Sequence, residues 1–448
     1  MNSDVVIIGG GVAGLASGAL LTKQGLRVTV LEKGNQAGGR AYTYVDKGFT
    51  LNYGPHAMYR PHSGLLGDVM RRLGRPPVPY GTPDPLRSYW SDGDRFGSIG
   101  AKAHHVLTTR LFPVAGRLQV VKLMLAIRGA HPEKAADQTF GAWLDAHVGD
   151  EAVRRFGRAL ATINTYHHPA DDLSAAFVLR HLQRNLFAKD YVGYLNGGWS
   201  TMYGVFIEEL RAGGGELVTG THVERLEVDG GRIVAAIAAG ARYEAEAFVC
   251  TLPPQDAPAI AAPGSPLAAE MARWSSMQDV RALCMDLGFS RRLRDDLSLV
   301  FDVEHALYYS LHSEVTPDLA PTGSQLLHAM AYLSPEEAAD AALMERRRHE
   351  LIGGLDRFFP GWRDALVVER TLPGVRVASA RQTPEQQGTA RVPLRSSTHG
   401  NLYYAGDARD LPYSLAEIAL ASALEAARAV GLAISGRRAQ PPRVPSAA

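Results

Sequence analysis

The sequence predicts an α/β fold, because a buried strand, a glycine-rich turn and an apolar helix follow one another near its N-terminus. Residues 5–8 form an uninterrupted apolar run, which is typical of a strand buried on both faces. Residues 9–14 have the spacing G-x-G-x-x-G, and residues 12–24 form a helix rich in Ala and Leu. Residues 27–31 form a second apolar strand. This order of elements is that of a Rossmann-like dinucleotide-binding unit.

The glycines of the turn each have a physical role in such a unit. Gly9 permits the tight turn, Gly11 lets the backbone approach a pyrophosphate, and Gly14 lets the helix pack closely against the strand. The first amides of the helix, at Val12 and Ala13, together with the helix dipole favour the negative charge of a diphosphate. We therefore expect these residues to hold a dinucleotide.

An acidic residue ends the second strand. Glu32 lies about 20 residues past the turn, where a carboxylate can accept hydrogen bonds from ribose hydroxyls, and Lys33 follows it. A glycine-rich turn without a ligand is the alternative, but strand, glycines, helix and acid together favour a dinucleotide site. The fingerprint by itself leaves NAD and FAD equally open.

Three separated stretches of the sequence resemble parts of one FAD site. The fingerprint is followed by Gly38-Gly39-Arg40, a second glycine motif occupies residues 197–202 and leads toward Val223, and residues 401–407 end in Ala405-Gly406-Asp407. In this order and spacing the stretches resemble the flavoprotein superfamily that contains amine oxidases, protoporphyrinogen oxidases and phytoene desaturases. The resemblance covers nearly the whole chain and implies FAD rather than NAD, but its specific motifs hold only the cofactor.

The resemblance also implies a role for particular residues. Arg40 contacts the cofactor, the segment 51–59 passes the isoalloxazine, and Val223 holds the adenine through its backbone. Asp407 accepts a hydrogen bond from a ribityl hydroxyl or a diphosphate-bound water, and the helix from Leu415 aims its amides at the flavin ring. The implied cofactor-binding residues are Gly9, Gly11, Val12, Ala13, Gly14, Glu32, Lys33, Gly39, Arg40, Gly54, Pro55, His56, Val223, Gly406, Asp407, Leu415 and Ala416.

Three side chains are candidates for a catalytic role: His56, Arg281 and Tyr413. His56 is either a base beside the flavin or a residue that bonds the backbone and shapes the pocket; we favour the second, because flavin desaturation often needs no dedicated base. Monoamine oxidases carry a lysine near flavin N5 where this chain has Arg281, and an aromatic residue where it has Leu415, with Tyr413 two residues earlier. Both departures favour an apolar substrate over a simple amine. The pairs His104-His105 and His167-His168 lack an acidic ligand cluster, so no metal site is predicted.

The chain divides into a discontinuous Rossmann-like FAD-binding domain and an inserted, mixed α+β substrate domain. The second insertion combines strands at 282–289 and 326–333 with a charged helix near 335–359. We assign residues 1–74, 191–255 and 366–435 to the FAD-binding domain, residues 75–190 and 256–365 to the substrate-binding domain, and residues 436–448 to a disordered tail.

Composition narrows the partners and the compartment. The net charge of +1 gives no reason to expect a nucleic-acid partner. The only cysteines, Cys250 and Cys284, are not near Asp407, where a thioether to flavin is expected in covalent amine oxidases, so we predict non-covalent FAD. The first strand leaves no room for a signal peptide, and no uninterrupted apolar run reaches the roughly 18 residues of a membrane span. We therefore expect a cytoplasmic, bacterial protein.

The segment 96–132 has an unusual composition. It contains no acidic residue, while Lys102, Arg110, Arg117, Lys122 and Arg128 punctuate an apolar background. One interpretation is a helix in peripheral contact with the inner face of the membrane, through which an apolar substrate enters. The other, which we favour, is a helix of the substrate domain with a solvated basic face.

These features predict an FAD-dependent oxidoreductase, either a dehydrogenase or desaturase or an oxidase. It would form a C=C or C=N bond in a mainly apolar small molecule, as phytoene-desaturase-like enzymes do, with oxygen or a quinone as electron acceptor. Three alternatives stay open: an amine oxidase, an isomerase or cyclase that uses reduced flavin without net oxidation, and a flavoprotein partner without turnover. The pocket-lining residues lie in the insertions, where no motif identifies the substrate.

Overall fold

A computed structural model describes residues 2–54, 56–99 and 103–438. The predictions for Pro55, for Lys102 and for the tail from residue 439 fall outside the described residues. The strands, numbered β1 to β19 in chain order, are Asn2–Ile8, Val28–Leu31, Thr43–Asp46, Phe49–Asn52, Met58–Tyr59, Tyr80–Gly81, Ser88–Asp92, Arg95–Ser98, Val192–Leu195, Glu216–Val218, Val223–Asp229, Arg232–Ala238, Ala241–Cys250, Val280–Phe289, Leu299–Asp302, Leu307–Ser310, Gln325–Tyr332, Leu366–Ala378 and Leu402–Tyr404. The α-helices, α1 to α13, are Val12–Thr22, Leu65–Leu73, Ala103–Thr108, Val114–Gly129, Phe140–His147, Glu151–Thr165, Ala175–Leu186, Ser200–Ala212, Pro266–Ser275, Pro335–Ala339, Ala341–Phe358, Trp362–Ala365 and Leu415–Arg438.

The first sheet has the strand order β10-β2-β1-β13-β12-β11, and β19 also pairs with β13. The pairs β1–β2, β1–β13, β2–β10 and β13–β19 are all parallel. Parallel strands end at one edge of a sheet. The fingerprint turn after β1, Glu32 after β2 and Gly406 after β19 therefore meet at the same edge.

Helices and strands cover both faces of this sheet. The odd-numbered residues Val5 and Ile7 of β1 pack in one core with apolar side chains of α1, α8 and α13. The even-numbered Val6 and Ile8 pack in a second core with side chains of β11, β12 and α9. Alternation along a strand explains this division, because successive side chains point to opposite faces. The predicted α/β class is confirmed.

The second sheet has the order β18-β14-β17-β16-β15-β7-β8 and is antiparallel except for the pair β15–β7. Its core on one face is shared with helices α4 to α7, and its core on the other face with α11. The predicted domain division stays a prediction, but one boundary differs from the sheet pairing. Strand Leu366–Ala378, which we assigned to the FAD-binding domain, pairs with β14 along its length and lies in this second sheet.

The charged helix predicted near 335–359 is two helices. Ser334 caps the first with a capping box to Glu337. Asp340 then interrupts the helix, because its carboxylate accepts hydrogen bonds from the amides of Ala342 and Leu343 and caps the second helix. The side chain thus offers the backbone an alternative partner at the break.

The C-terminal helix is long and apolar enough to cross a membrane by length and composition alone. The segment Leu415–Arg437 has a mean hydropathy of 1.5 over its best window, and 61% of that window is buried inside the protein. The helix packs against α1 and contributes Leu420, Ala423 and Val430 to the core on the first sheet. Its apolar character is therefore that of a helix with a large buried face.

The contact between α1 and the fingerprint turn predicts the effect of one added methyl group. A Cβ at Gly14 would lie 2.0 Å from the Gly9 carbonyl oxygen, whereas a Cβ at Gly353 in α11 would meet no atom within 4 Å. We expect Gly14→Ala to lower the free energy of unfolding by about 1–3 kcal/mol. We expect the control Gly353→Ala to leave it unchanged or raise it by about 0.5–1 kcal/mol. Denaturant titration measures both, and equal stability of Gly14→Ala and the wild type would contradict the close packing.

Candidate functional site

The fingerprint turn and the Gly38-Gly39-Arg40 segment lie against each other. The Gly38 amide donates to the Gly10 carbonyl at 2.8 Å, and Gly11 forms a parallel bridge with Gly38. A Cβ at Gly39 would lie 3.1 Å from the Gly11 Cα, so Gly39 must be small for the motifs to approach. A Cβ at Gly11 would meet only the Gly39 Cα at 4.0 Å among the described residues, which leaves room beside Gly11. This cradle fits the diphosphate of a dinucleotide, the role predicted for Gly11.

Glu32 lies directly after β2, at the same edge of the first sheet. Its carboxylate accepts hydrogen bonds from the Gly10 amide at 2.6 Å and the Gly34 amide at 2.7 Å. Its carbonyl accepts from the Thr221 amide, two residues before Val223 at the start of β11. Glu32 therefore holds the fingerprint loop and the predicted adenine-binding backbone together, while the Lys33 side chain is exposed.

Arg40 and Asp407 form a bidentate ion pair between the first and the last of the three motifs. Arg40 Nη1 lies 2.7 Å from Asp407 Oδ2, and Nη2 lies 2.8 Å from Oδ1. Arg40 also donates to the Val377 carbonyl at 3.1 Å, and Asp407 accepts from the Ser379 amide at 2.8 Å. Burial alone would raise the pKa of Asp407, but Arg40 and the Ser379 amide hold it well below its usual range. Its observed partner is thus Arg40, and a ribityl or diphosphate contact stays a prediction.

The backbone next to this pair is tightly constrained. Gly406 has φ +135° and donates its amide to the Ser422 Oγ of α13 at 2.8 Å. Leu415, the first residue of α13, has φ +52°, in the left-handed region that β-carbon sterics disfavour. Ala416 follows it in the first turn of the helix. Such strain is typical of functional sites, where the surrounding structure holds it.

His56 connects two cofactor motifs through the backbone. Its Nδ1 lies 2.9 Å from the Gly54 carbonyl and its Nε2 lies 2.9 Å from the Arg40 carbonyl. The ring also packs edge-on against Trp199 with centroids 4.8 Å apart. A neutral imidazole can donate to only one of two carbonyls, and burial lowers the pKa of His56. His56 thus bonds the backbone, as the favoured interpretation expects, and its role beside a flavin stays a prediction.

Asn52 lies at the centre of a polar network that the sequence analysis missed. Its Oδ1 accepts from the Trp199 amide at 3.0 Å and the Thr43 hydroxyl at 3.1 Å, and its carbonyl accepts from Arg370. Asp286 accepts from Arg370 Nε at 2.7 Å and also contacts His328. Strand register places His328 and Arg370 on either side of Asp286. The sequence did contain one signal of this network, because Asp286 is a single carboxylate within the otherwise apolar strand predicted at 282–289.

Arg281 and Tyr413 each have a partner other than His56. Arg281 is paired with Asp279 at 2.9 and 3.1 Å and donates to the Gly374 carbonyl at 3.0 Å. Strand alternation places it on the opposite face from Cys284, three residues later, whose Sγ would lie 3.0 Å from a Cβ at Gly54. Arg281 is therefore a paired cation, and its role in substrate preference stays a prediction. The ring of Tyr413 lies beneath the Arg184 guanidinium, 4.2 Å from its centroid.

Six tyrosines lie near one another, two of them beside Cys284, and we call them the tyrosine cluster. Tyr166 and Tyr332 have ring centroids 5.8 Å apart, and the hydroxyls of Tyr194 and Tyr308 lie 2.8 Å apart. Burial raises the pKa of each phenol, so the cluster is neutral. The positions of these tyrosines are scattered along the sequence, so no linear pattern predicted the cluster. Its members are Tyr59, Tyr166, Tyr191, Tyr194, Tyr308 and Tyr332.

The two cysteines are both free and buried. Cys250 is distant from Asp407 in sequence but not in space, because its carbonyl accepts the Ala405 amide at 3.1 Å. Its side chain packs in the core between the first sheet and α9. Burial raises the pKa of Cys250 to about 11 and that of Cys284 well above its usual value, which disfavours the thiolate. No cluster of three or more metal-ligating side chains occurs in the described part of the chain.

Glu417 is a buried carboxyl group in the first turn of α13. It is 2% exposed, and neither carboxyl oxygen has a hydrogen-bond partner within the described ranges. Burial raises the pKa of Glu417 to about 7, against the opposing attraction of Arg184 and Arg60. A group that changes charge near neutrality therefore lies at the start of the helix predicted to face the flavin.

A comparison with known protein families assigns the chain to one of them. Residues 12–431 match the family of flavin containing amine oxidoreductases. The chain belongs to this family. A flavin is the family's cofactor, and the chain is an FAD-dependent oxidoreductase. The predicted family and enzyme class are confirmed.

Individual relatives match only part of the chain or only its fold. All-trans-retinol 13,14-reductase of Macaca fascicularis is 44% identical over 64 residues, which are 14% of this chain and 10% of that protein. 4,4'-Diapophytoene desaturase (4,4'-diaponeurosporene-forming) of Staphylococcus aureus (strain Newman) is 42% identical over 71 residues, which are 16% of this chain and 14% of that protein. The chain thus matches a small share of either relative's length.

Solved structures share the whole fold. An oxidoreductase from Methanosarcina mazei has a TM-score of 0.78 and 19% identity, with 95% of this chain and 100% of that chain covered. Putrescine oxidase bound to putrescine has a TM-score of 0.73 and 17% identity, with 96% and 99% covered. Both sheets therefore belong to the architecture of this flavoprotein family.

The Arg40–Asp407 pair predicts a loss of flavin affinity when one charge is removed. Asp407→Asn removes the negative charge opposite Arg40 and one of the two oxygens that accept from it, so we expect about ten- to hundred-fold weaker flavin retention after dialysis, for a loss of about 1.5–3 kcal/mol. Asp296→Asn is the matched control, because Asp296 also pairs bidentately with an arginine but is 57% exposed. Because the pKa of Asp407 is depressed, its contribution is present above about pH 4 and is lost as the pH falls through the folded-state pKa. Flavin retention by Asp407→Asn equal to that of the control would contradict this role.

Glu417 predicts the opposite dependence of stability on pH. Its folded-state pKa is raised, so its contribution is present at low pH and is lost as the pH rises toward about 7. We expect Glu417→Gln to gain about 3 kcal/mol in free energy of unfolding, relative to the wild type, between pH 4.5 and pH 8. Denaturant unfolding of the flavin-bound proteins at several pH values measures this difference. Parallel pH profiles for the two proteins would refute it.

Proposed function

We propose that the enzyme removes two hydrogens from a mainly apolar small molecule and forms a C=C bond, as a desaturase-like dehydrogenase or oxidase. FAD, bound non-covalently, supplies hydride acceptance, and oxygen or a quinone takes the electrons. We further propose that the protein acts in the cytoplasm. The observation that carries the proposal is the tyrosine cluster, which offers a neutral, aromatic surface beside the Gly54 segment.

The charges around the cluster support an apolar substrate. Asp286, on the strand that carries Cys284, is already engaged by Arg370 and His328. A protonated amine placed among the tyrosines would lose water without gaining a free carboxylate from Asp286, which is costly for a charge. Burial of an apolar chain has no such desolvation cost, and its contact with aromatic rings is favourable.

The partial relatives agree with this class of substrate. Retinol reductase and diapophytoene desaturase are named for reactions on polyene carbon chains, and each matches a short part of this chain. The chain's own residues would position the substrate and exclude water rather than transfer protons. The Arg40–Asp407 pair fixes the loops of the cofactor cradle, and the buried tyrosines exclude water from the reacting face.

Amine oxidation to a C=N bond is the second candidate, and one observation favours it. The faces of tyrosine rings attract cations, so the tyrosine cluster could also receive an amine. Putrescine oxidase, whose structure contains putrescine, shares the fold. The two candidates therefore differ in whether the rings act as an apolar wall or as a cation-binding surface.

Anaerobic mixing distinguishes these functions. We expect acid precipitation to release FAD into the supernatant, and a detergent-dispersed polyene precursor to bleach the flavin absorbance while benzylamine and tyramine do not. Steady amine oxidation at about 1 per second or faster would overturn the apolar proposal. Product without bleaching would indicate an isomerase or cyclase.

A substitution within the cluster tests the role of the rings. Tyr166→Leu keeps an apolar surface but removes a π-face, so we expect polyene turnover within about threefold of the wild type and any amine turnover to fall about tenfold. Tyr309→Leu is the control, because Tyr309 packs in the core on the other face of the second sheet. A tenfold or larger fall in polyene turnover in both variants, or an equal effect of both variants on amine turnover, would argue against a substrate-facing cluster.

A further inference from the structure

Helix α4, Val114–Gly129, is apolar on two opposite faces. Val120, Leu123 and Ile127 are fully buried in the core that the helices share with the second sheet. The opposite face exposes Val114 by 69%, Leu118 by 60% and Leu125 by 65%. Spacings of four and seven residues align these three side chains along one stripe of the helix. Packing in the core therefore explains one apolar face, and the other face is exposed within the part of the chain that the structure describes.

Exposed apolar side chains are concentrated in this part of the surface. Among the described residues, five of the twelve large hydrophobic side chains that are exposed lie within residues 96–132. Leu107, in α3, is 45% exposed, and α3 packs against α4. Phe187 is also 45% exposed and lies 5.5 Å from the Arg128 guanidinium. A clustered apolar surface marks an interaction site, whereas single exposed residues do not.

The charge around the stripe has one sign. The segment 96–132 contains no acidic residue, and its Arg110, Lys122 and Arg128 side chains are exposed. The long stems of such side chains can lie along an apolar surface while their charges stay in water. Exposed leucines flanked by cations are complementary to the surface of an anionic bilayer.

A basic groove continues the same face. Gln183 donates to the carbonyls of Ile127 and Ala130 at 2.8 Å, which fixes the C-terminal end of α4 against α7. Beside it, a groove of about 430 Å³ is lined by Phe187, Lys189 and Arg184 among others. Its Asp190 carboxylate is occupied by the amides of His62 and Ser63. Arg184 in turn covers Tyr413, just before α13, so the groove leads from the stripe toward the start of the flavin-facing helix.

We propose that the outward stripe of α4, together with Phe187 and the surrounding arginines and lysines, docks the enzyme on an anionic lipid surface. The leucines enter the interfacial layer, and Arg110, Lys122 and Arg128 lie at the level of the lipid phosphates. The groove beside Phe187 then opens toward the bilayer, where an apolar molecule is dissolved. Docking is measured without turnover, so its failure and the failure of the proposed reaction are distinguishable.

Vesicle co-sedimentation tests this docking. We expect the flavin-bound protein to sediment with phosphatidylglycerol vesicles, to bind phosphatidylcholine vesicles weakly, and to be released by high salt. Leu118→Asp/Leu125→Asp should weaken binding at least about tenfold, because it places charge where apolar area is buried. Arg110→Gln and Lys122→Gln should each weaken binding about fivefold.

The control is Val45→Asp/Leu432→Asp, which changes two side chains that are 67% and 65% exposed outside this surface. It should bind vesicles like the wild type, and all variants should retain flavin, because the altered residues are exposed. Absence of binding to phosphatidylglycerol, equal binding to both lipids, or equal effects of the stripe and control variants would overturn the proposal. So would a lipid-free dimer that the stripe variant dissociates, since the stripe would then bind a second copy of the chain.

Discussion

The Arg40–Asp407 ion pair is the interaction on which the arrangement of the site depends. It joins the segment after the fingerprint to the segment after β19, 367 residues apart in sequence. The same two side chains also bond Val377 and Ser379, at the end of the edge strand of the second sheet. Both sheets and both cofactor motifs therefore meet at one guanidinium and one carboxylate. A partly buried pair is costly to desolvate, so its value here lies in fixing geometry more than in adding stability.

The Asn52 network also uses a paired charge to fix geometry, in the segment that contains Gly54. Asp286 lies in the middle of an apolar strand and would be strongly unfavourable there as an unpaired charge. Arg370 and His328 on the adjacent strands compensate it, and Arg370 extends the network to the Asn52 carbonyl. The second sheet is thereby fastened to the segment predicted to pass the flavin ring. Substrate-domain packing and cofactor geometry are coupled through this single buried carboxylate.

The sequence predicted the strand, turn and helix around this site, because the signals for these elements are local. The strand, turn, helix and acid of the fingerprint lie within 32 residues, and each has a steric or electrostatic reason for its residue type. Pairings across the chain could not be predicted in the same way. Asp407 and Arg281 were predicted without their protein partners, which are Arg40 and Asp279, and the predicted cofactor contact of Asp407 stays a prediction. The tyrosine cluster comes from several elements and has no linear pattern at all.

Helix α4 shows why composition alone could not decide between the core and a membrane. Its apolar residues recur on two faces, so a single periodicity satisfies both interpretations at once. The fold resolves the ambiguity by assigning Val120, Leu123 and Ile127 to the core and leaving Leu118 and Leu125 at the surface. A helix that serves only as a domain wall would expose polar residues there, since exposed leucines contribute nothing to folding when they stay in water. The fold leaves the outward leucines unexplained, and together with the basic residues beside them they are the basis of our proposal that the helix docks on an anionic surface.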